Sequence, residues 1–187
     1  MAPSLSLRGD QNRAATTEWL SESVEGQKYL NMVLLLIHPD LHAVGSSILD
    51  RLRSIEGIKD VALLWTSYFT GIAVINNRRT PSHHDSNGRP EWYDLLCVMG
   101  NSDRPAKLEF KELGLRLVYG PGTVVGACGQ VFEHSVDFWG EGDRICHAHF
   151  MRDKVREKFD VKPGGWVMQD LYTSSLSKVF CQDKHFM

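Results

Sequence analysis

Past Gly57 the chain stops repeating like a helix and starts alternating like a strand, which constrains its fold more than any other feature. Ala106-Lys-Leu-Glu-Phe110 and Arg144-Ile-Cys-His-Ala-His-Phe150 carry the two-residue alternation of strands with one face on a core. Residues 61–65, 71–75, 95–99, 115–119, 123–125 and 130–132 read as further short strands. About eight such segments, separated by Gly, Pro, Asn and Asp turns, indicate a sandwich or barrel and not a series of βαβ units.

The first third has a different texture. Trp19, Val24, Tyr29, Val33, Leu34 and Ile37 suggest an amphipathic helix over 14–37, broken at Gly26. Pro39-Asp40 restarts the chain, and Leu41, Val44, Ile48, Leu49 and Leu52 recur at helical spacing. Nothing there carries chemistry, and its expected task is to cover one face of a sheet. The fold class is therefore α+β, read as a single domain over 1–187. It comprises helical support at 13–56, a β core at 60–152 and a C-terminal helix and tail at 153–187.

Net charge is −2, so no global basic field advertises a nucleic-acid partner, although a local basic groove remains compatible with it. Cys97, Cys128, Cys146 and Cys181 are dispersed, without a C-x-x-C pair, and read as reduced thiols of a cytosolic or nuclear protein. The longest apolar run, 32–37, falls far short of the ~20 residues a membrane helix needs. No membrane partner is expected.

Polarity concentrates in one stretch, 76–94. At its centre stands His83-x-Asp85. Where a strand ends, residues two apart share a face, so this imidazole and carboxylate would converge, giving two thirds of a facial-triad iron site. His134 follows 49 positions after Asp85, and Arg144 ten after that. Iron(II) that activates O₂ needs three protein ligands on one face, with room left for a bidentate cosubstrate. A strand-borne arginine offers a two-pronged donor for the cosubstrate's distal carboxylate. His83, Asp85 and His134 as ligands, with Arg144 behind them, satisfy an Fe(II)/2-oxoglutarate oxygenase. A double-stranded β-helix, a jelly-roll variant, would supply the strands. Each piece has a plainer reading: an Asx turn at Asp85, a core histidine at 134, Arg144 paired with Glu141 or Asp143, or a zinc site.

Asn76-x-Arg78-x-Thr80-x-x-His83-x-Asp85 followed by Gly88-Arg-Pro-Glu-Trp-Tyr-Asp-Leu-Leu96 resembles the TET/J-binding-protein class of oxygenases, in particular its small fungal members. Tyr119-Gly-Pro-Gly-Thr123, His134 and Gly142-Asp-Arg144 through Arg152 fit the same family. The resemblance covers about residues 60 to 152. It implies oxidation of methyl groups on bases of duplex DNA, using Fe(II), O₂ and 2-oxoglutarate. By the same resemblance Arg78 also reaches the cosubstrate, Phe150 stacks on a flipped base and Arg152 reads it. A methyl inside a duplex is reached only by extruding the base, and Trp92 is a second stacking candidate, with core packing as its rival role. Asn87 and Arg89 are candidates to face substrate, and Arg78, Arg79, Arg89 and Arg104 to meet phosphates. The implied substrates are 5-methylcytosine, taken to 5-hydroxymethyl and higher oxidised forms, and N6-methyladenine, which oxidation would demethylate. The expected compartment is the nucleus and the expected state a monomer. Two alternatives stay open: the same chemistry on RNA, protein side chains or small molecules, and a catalytically silent DNA-binding module.

Overall fold

The computed structural model describes residues 10–86 and 88–182. The chain forms two compact units, one over Phe69–Lys154 and one made of Met1–Tyr68 together with Val155–Met187.

The first unit holds eight strands: β1 (Gly71–Asn76), β2 (Thr80–His83), β3 (Asp94–Gly100), β4 (Ala106–Phe110), β5 (Leu115–Tyr119), β6 (Val124–Ala127), β7 (His134–Val136) and β8 (Arg144–Phe150). They build two four-stranded antiparallel sheets, ordered β1-β8-β3-β6 and β2-β7-β4-β5. This interleaving, in which successive strands alternate between sheets except at the β4–β5 hairpin, is the jelly-roll order of a double-stranded β-helix. The alternation read in β4 is realised literally, with Ala106, Leu108 and Phe110 buried and Lys107 and Glu109 less so. These three join Val98, Tyr119, Val136, Trp139 and Cys146 in one apolar cluster. Each fully buried large side chain of this kind contributes roughly 1.5–3 kcal/mol.

Two expectations were wrong in kind. Residues 61–65 are not a strand; they belong to a short helix, α4 (Lys59–Leu64), with Ala62 its one buried residue. A five-residue apolar run has no decisive period, so neighbouring contacts settle it. Residues 130–132 are not a strand either: the amides of Val131 and Phe132 both donate to the carbonyl of Cys128, closing a turn. The two strands that complete the eight are instead β7, which starts just past that turn at His134, and β2, hidden from pattern reading by Pro81, which an edge strand tolerates because an outward-facing position needs no N–H.

The second unit is helical: α1 (Asp10–Glu22), α2 (Val24–Ile37), α3 (Pro39–Arg53) and α4, with α5 (Asp153–Lys158) crossing the boundary and α6 (Gln169–Gln182) near the end. The helix break falls at Ser23 and not at Gly26, which lies inside α2 with open space around it. Between α2 and α3 the His38 ring accepts from the amide of Leu41 at 3.2 Å, and Pro39 starts the new helix. Gly45 is required: a Cβ there would sit 2.4 Å from the carbonyl oxygen of Tyr68. Asn31 of α2 donates to Thr66 O and accepts from the Tyr68 amide, tying down the segment that leads to the strands. Among the described residues no helix is long and apolar enough to cross a membrane.

Candidate metal centre

His83 closes β2 and His134 opens β7, and the two are direct partners in the antiparallel register. Their rings therefore meet across the ladder, with centroids 4.3 Å apart. The pairing is irregular between Thr80 and His83, a bulge of the kind that re-aims a side chain at a strand end. Asp85 lies two residues past the strand, and its amide donates to the carbonyl of Gly129 at 2.9 Å. Its carboxylate reaches both histidines, Oδ1 at 3.5 Å from His83 Nε2 and Oδ2 at 3.6 Å from His134 Nε2.

The far side of each ring decides its tautomer. His134 Nδ1 is 3.0 Å from the carbonyl of Phe132. His83 Nδ1 is 2.9 Å from Pro81 O and 3.2 Å from His134 O. A carbonyl only accepts, so both Nδ1 atoms carry a proton, and both Nε2 atoms face Asp85. One ligand atom from each of the three residues falls within 4.8 Å of the others. Two neutral nitrogens and one carboxylate, held on one side, suit a divalent first-row metal with open positions. The intervening His84 turns away, its Nε2 3.8 Å from Glu112.

Gly129 makes this possible, and no sequence pattern pointed to it. A Cβ on Gly129 would lie 2.0 Å from Asp85 Oδ2. We expect Gly129→Ala to push the carboxylate out of line and weaken metal binding about 100-fold, the upper range for damage to a ligand's support. Metal titration of the folded variant checks it; an unchanged affinity would refute the steric argument.

The triad opens into a cavity of about 420 Å³, a size suited to small molecules. Arg78, Asp94, Tyr119, Arg144, Phe150 and Arg152 line it with the triad. Arg144 is 2% exposed, and its Nε and Nη1 are buried without a protein partner. Its guanidinium lies 5.1 Å from the Tyr119 ring centre and 5.6 Å from that of Trp139. Rings can flank a cation, yet they do not replace the anion its donors need. The orphaned donors therefore fit a ligand carboxylate. Its main chain is clamped by Asn77, whose Oδ1 accepts from the Arg144 amide at 2.8 Å and whose own amide donates back to Arg144 O. Asn77 holds φ 47, a left-handed conformation that asparagine tolerates.

Phe150 owes its position to Gly71, where a Cβ would lie 2.5 Å from the ring. The Arg152 guanidinium sits 5.4 Å from the Phe150 ring centre. Asp94, absent from the sequence-derived candidates, projects from the start of β3 into the same cavity. Burial first, and the Asp85 charge second, push its carboxyl up to about 8.

Arg89 and Trp92 are engaged elsewhere. Arg89 pairs with Glu91 and, at 3.3 Å, with Asp153, and it lies over the Trp92 ring at 5.9 Å. Trp92 is 3% exposed and packs inside the protein. Asn87 lies outside the described residues.

The family model for the oxygenase domain of the 2OGFeDO superfamily, Tet_JBP, matches residues 5–153. Among solved structures the chain is similar to NgTET1 in complex with 5mC DNA, with a TM-score of 0.62 at 17% sequence identity. That similarity covers 82% of this chain and 56% of the NgTET1 chain, so this chain spans little more than half of its length. At such identity the likeness is one of fold. A search of curated proteins found no match.

Proposed function

Because the chain belongs to the Tet_JBP family, the oxygenase domain of the 2OGFeDO superfamily, we propose that it oxidises methyl groups on bases of duplex DNA. The observation that carries this reading is the buried, unpartnered Arg144 sharing one cavity with the His83–Asp85–His134 triad. His83, Asp85 and His134 would hold iron(II), Arg144 the distal carboxylate of 2-oxoglutarate, and Arg78 would also reach the cosubstrate. Iron(II), 2-oxoglutarate and O₂ together supply oxidation of an unactivated C–H bond, chemistry no side chain provides.

What the chain itself does is orient and enclose. The two Nδ1–H donors to main-chain carbonyls fix the orientation of both imidazoles and leave each Nε2 aimed at the site. Tyr119, 1% exposed, and Arg144, 2% exposed, give the cavity a buried wall. Phe150 offers a flat face for an extruded base, a contact worth ~1–3 kcal/mol per base against the few kcal/mol that extrusion costs. Asp94, kept protonated at neutral pH chiefly by burial, has one donor and one acceptor. That pair complements the ring nitrogen and the amino group of cytosine, and equally those of adenine. Both 5-methylcytosine and N6-methyladenine are thus proposed substrates. NgTET1 was solved with 5mC DNA, which supports the first. Arg79 and Arg104, both exposed, are suited to backbone phosphates. DNA as substrate would make the nucleus its compartment.

Nucleoside mass spectrometry after incubation with duplexes carrying each methylated base, Fe(II), 2-oxoglutarate and air tests the proposal. Oxidised or demethylated base is expected. Both bases unchanged, in protein that binds metal and 2-oxoglutarate, would defeat the DNA reading and leave RNA, protein or small-molecule substrates.

A further inference from the structure

At the inner end of the cavity the Tyr119 hydroxyl lies 3.2 Å from Cys146 Sγ. Both residues line the cavity beside Arg144, and Cys146 is two positions along the same strand on the same face. The phenol is almost fully buried, 1% exposed, and the sulfur is its hydrogen-bond partner. Either atom can donate in that contact, and a thiol is weak in both roles, so a buried phenol is left poorly used next to a cation whose Nε and Nη1 have no protein partner. A phenol and a guanidinium are both donors. Two under-used donor groups facing one space are a seat for an oxyanion.

We propose that Tyr119 is the second half of the carboxylate seat: its hydroxyl leaves Cys146 and donates to the distal carboxylate of the cosubstrate held by Arg144. The inference rests on the cosubstrate reading above and extends it to a residue whose ring alone would look like core. Burial pushes the pKa of both the phenol and the thiol up, so Tyr119 keeps its proton and Cys146 remains an uncharged thiol. The thiol's task is to park the hydroxyl while the seat is free. Because the O–H···S contact is weak, little is lost when the hydroxyl turns to a charged oxygen, where the bond is about twice as strong. The arrangement also predicts selectivity for a diacid: a 2-oxo acid without the distal carboxylate has nothing for Tyr119 or Arg144 to hold.

The test is calorimetric titration of the Fe(II)-loaded full chain without oxygen, using 2-oxoglutarate and, separately, 2-oxobutanoate. Tyr119→Phe should weaken 2-oxoglutarate binding about tenfold, the usual size of a lost hydrogen bond to a charged group. It should leave 2-oxobutanoate binding unchanged. Cys146→Ala, which removes only the parking acceptor, should bind 2-oxoglutarate as tightly as the parent or more tightly. Tyr119→Phe with unchanged affinity for both acids, or with both weakened alike, would reduce Tyr119 to packing and overturn the proposal. A tenfold loss in Cys146→Ala would assign the donor to the thiol and overturn it too. If the parent does not bind 2-oxoglutarate, the cosubstrate reading itself fails, whereas parental binding with an indifferent Tyr119→Phe removes this inference alone.

Discussion

Asp85→Ala should leave a folded protein that no longer retains a divalent metal, with turnover below detection. Asp85 is the one charged donor of the three and bridges both imidazoles at 3.5 and 3.6 Å. Without it two neutral nitrogens face each other with no anion to offset a dication. Removing a mere supporting hydrogen bond costs 10–100-fold in metal affinity, so loss of this ligand should cost on the order of a thousandfold or more. The fold should tolerate the change, because the apolar cluster around Leu108 and Phe110 does not include Asp85. Metal content by elemental analysis and folding by circular dichroism check the two halves separately. An alanine variant that keeps the parent's metal content would remove Asp85 from the site.

Arg144→Met should move affinity and stability in opposite directions. Binding of 2-oxoglutarate should fall at least about 100-fold, since a desolvated charge-assisted pair is worth 2–5 kcal/mol when one partner is truncated. Stability of the ligand-free protein should rise. Arg144 is 2% exposed with two nitrogens unsatisfied, and such groups cost about 1–3 kcal/mol. Methionine fills similar space and asks for no partner. At this chain length 1 kcal/mol corresponds to about 2–4 °C in Tm, so a ligand-free Tm at least ~2 °C above the parent is expected. A thermal melt with and without 2-oxoglutarate reads both effects, and a lower ligand-free Tm would show that the two rings satisfy the cation after all.

How much of this was legible beforehand depended on which forces leave a local trace. Strands such as Ala106–Phe110 and Arg144–Phe150 were readable because alternate burial imposes alternate polarity. The convergence of His83, Asp85 and His134 beside Arg144 was legible because metal and carboxylate chemistry admit few residue types. The missed features are those set by contacts between distant segments. Gly129 is informative only once Asp85 is seen against it, and Gly71 only once Phe150 is. Asp94 looked like the polar edge of an apolar run, while its orientation into the cavity follows from the pleat of β3. Arg89 and Trp92 looked like substrate residues because they lie in the polar stretch. Nothing local announced that Glu91 and Asp153 would engage Arg89.

One feature of the metal centre reaches beyond chemistry. β2 is the outermost strand of its sheet and contacts β7 in only two register pairs, one of them His83 with His134. Those two histidines stand 51 positions apart in the chain. A bound ion would therefore act as a clasp, closing a long loop and fastening a strand that backbone hydrogen bonds hold weakly. Copies that lose the ion would release this edge at low free-energy cost and become the copies most open to proteolysis. Metal supply would then regulate how long the molecule survives as well as how fast it turns over.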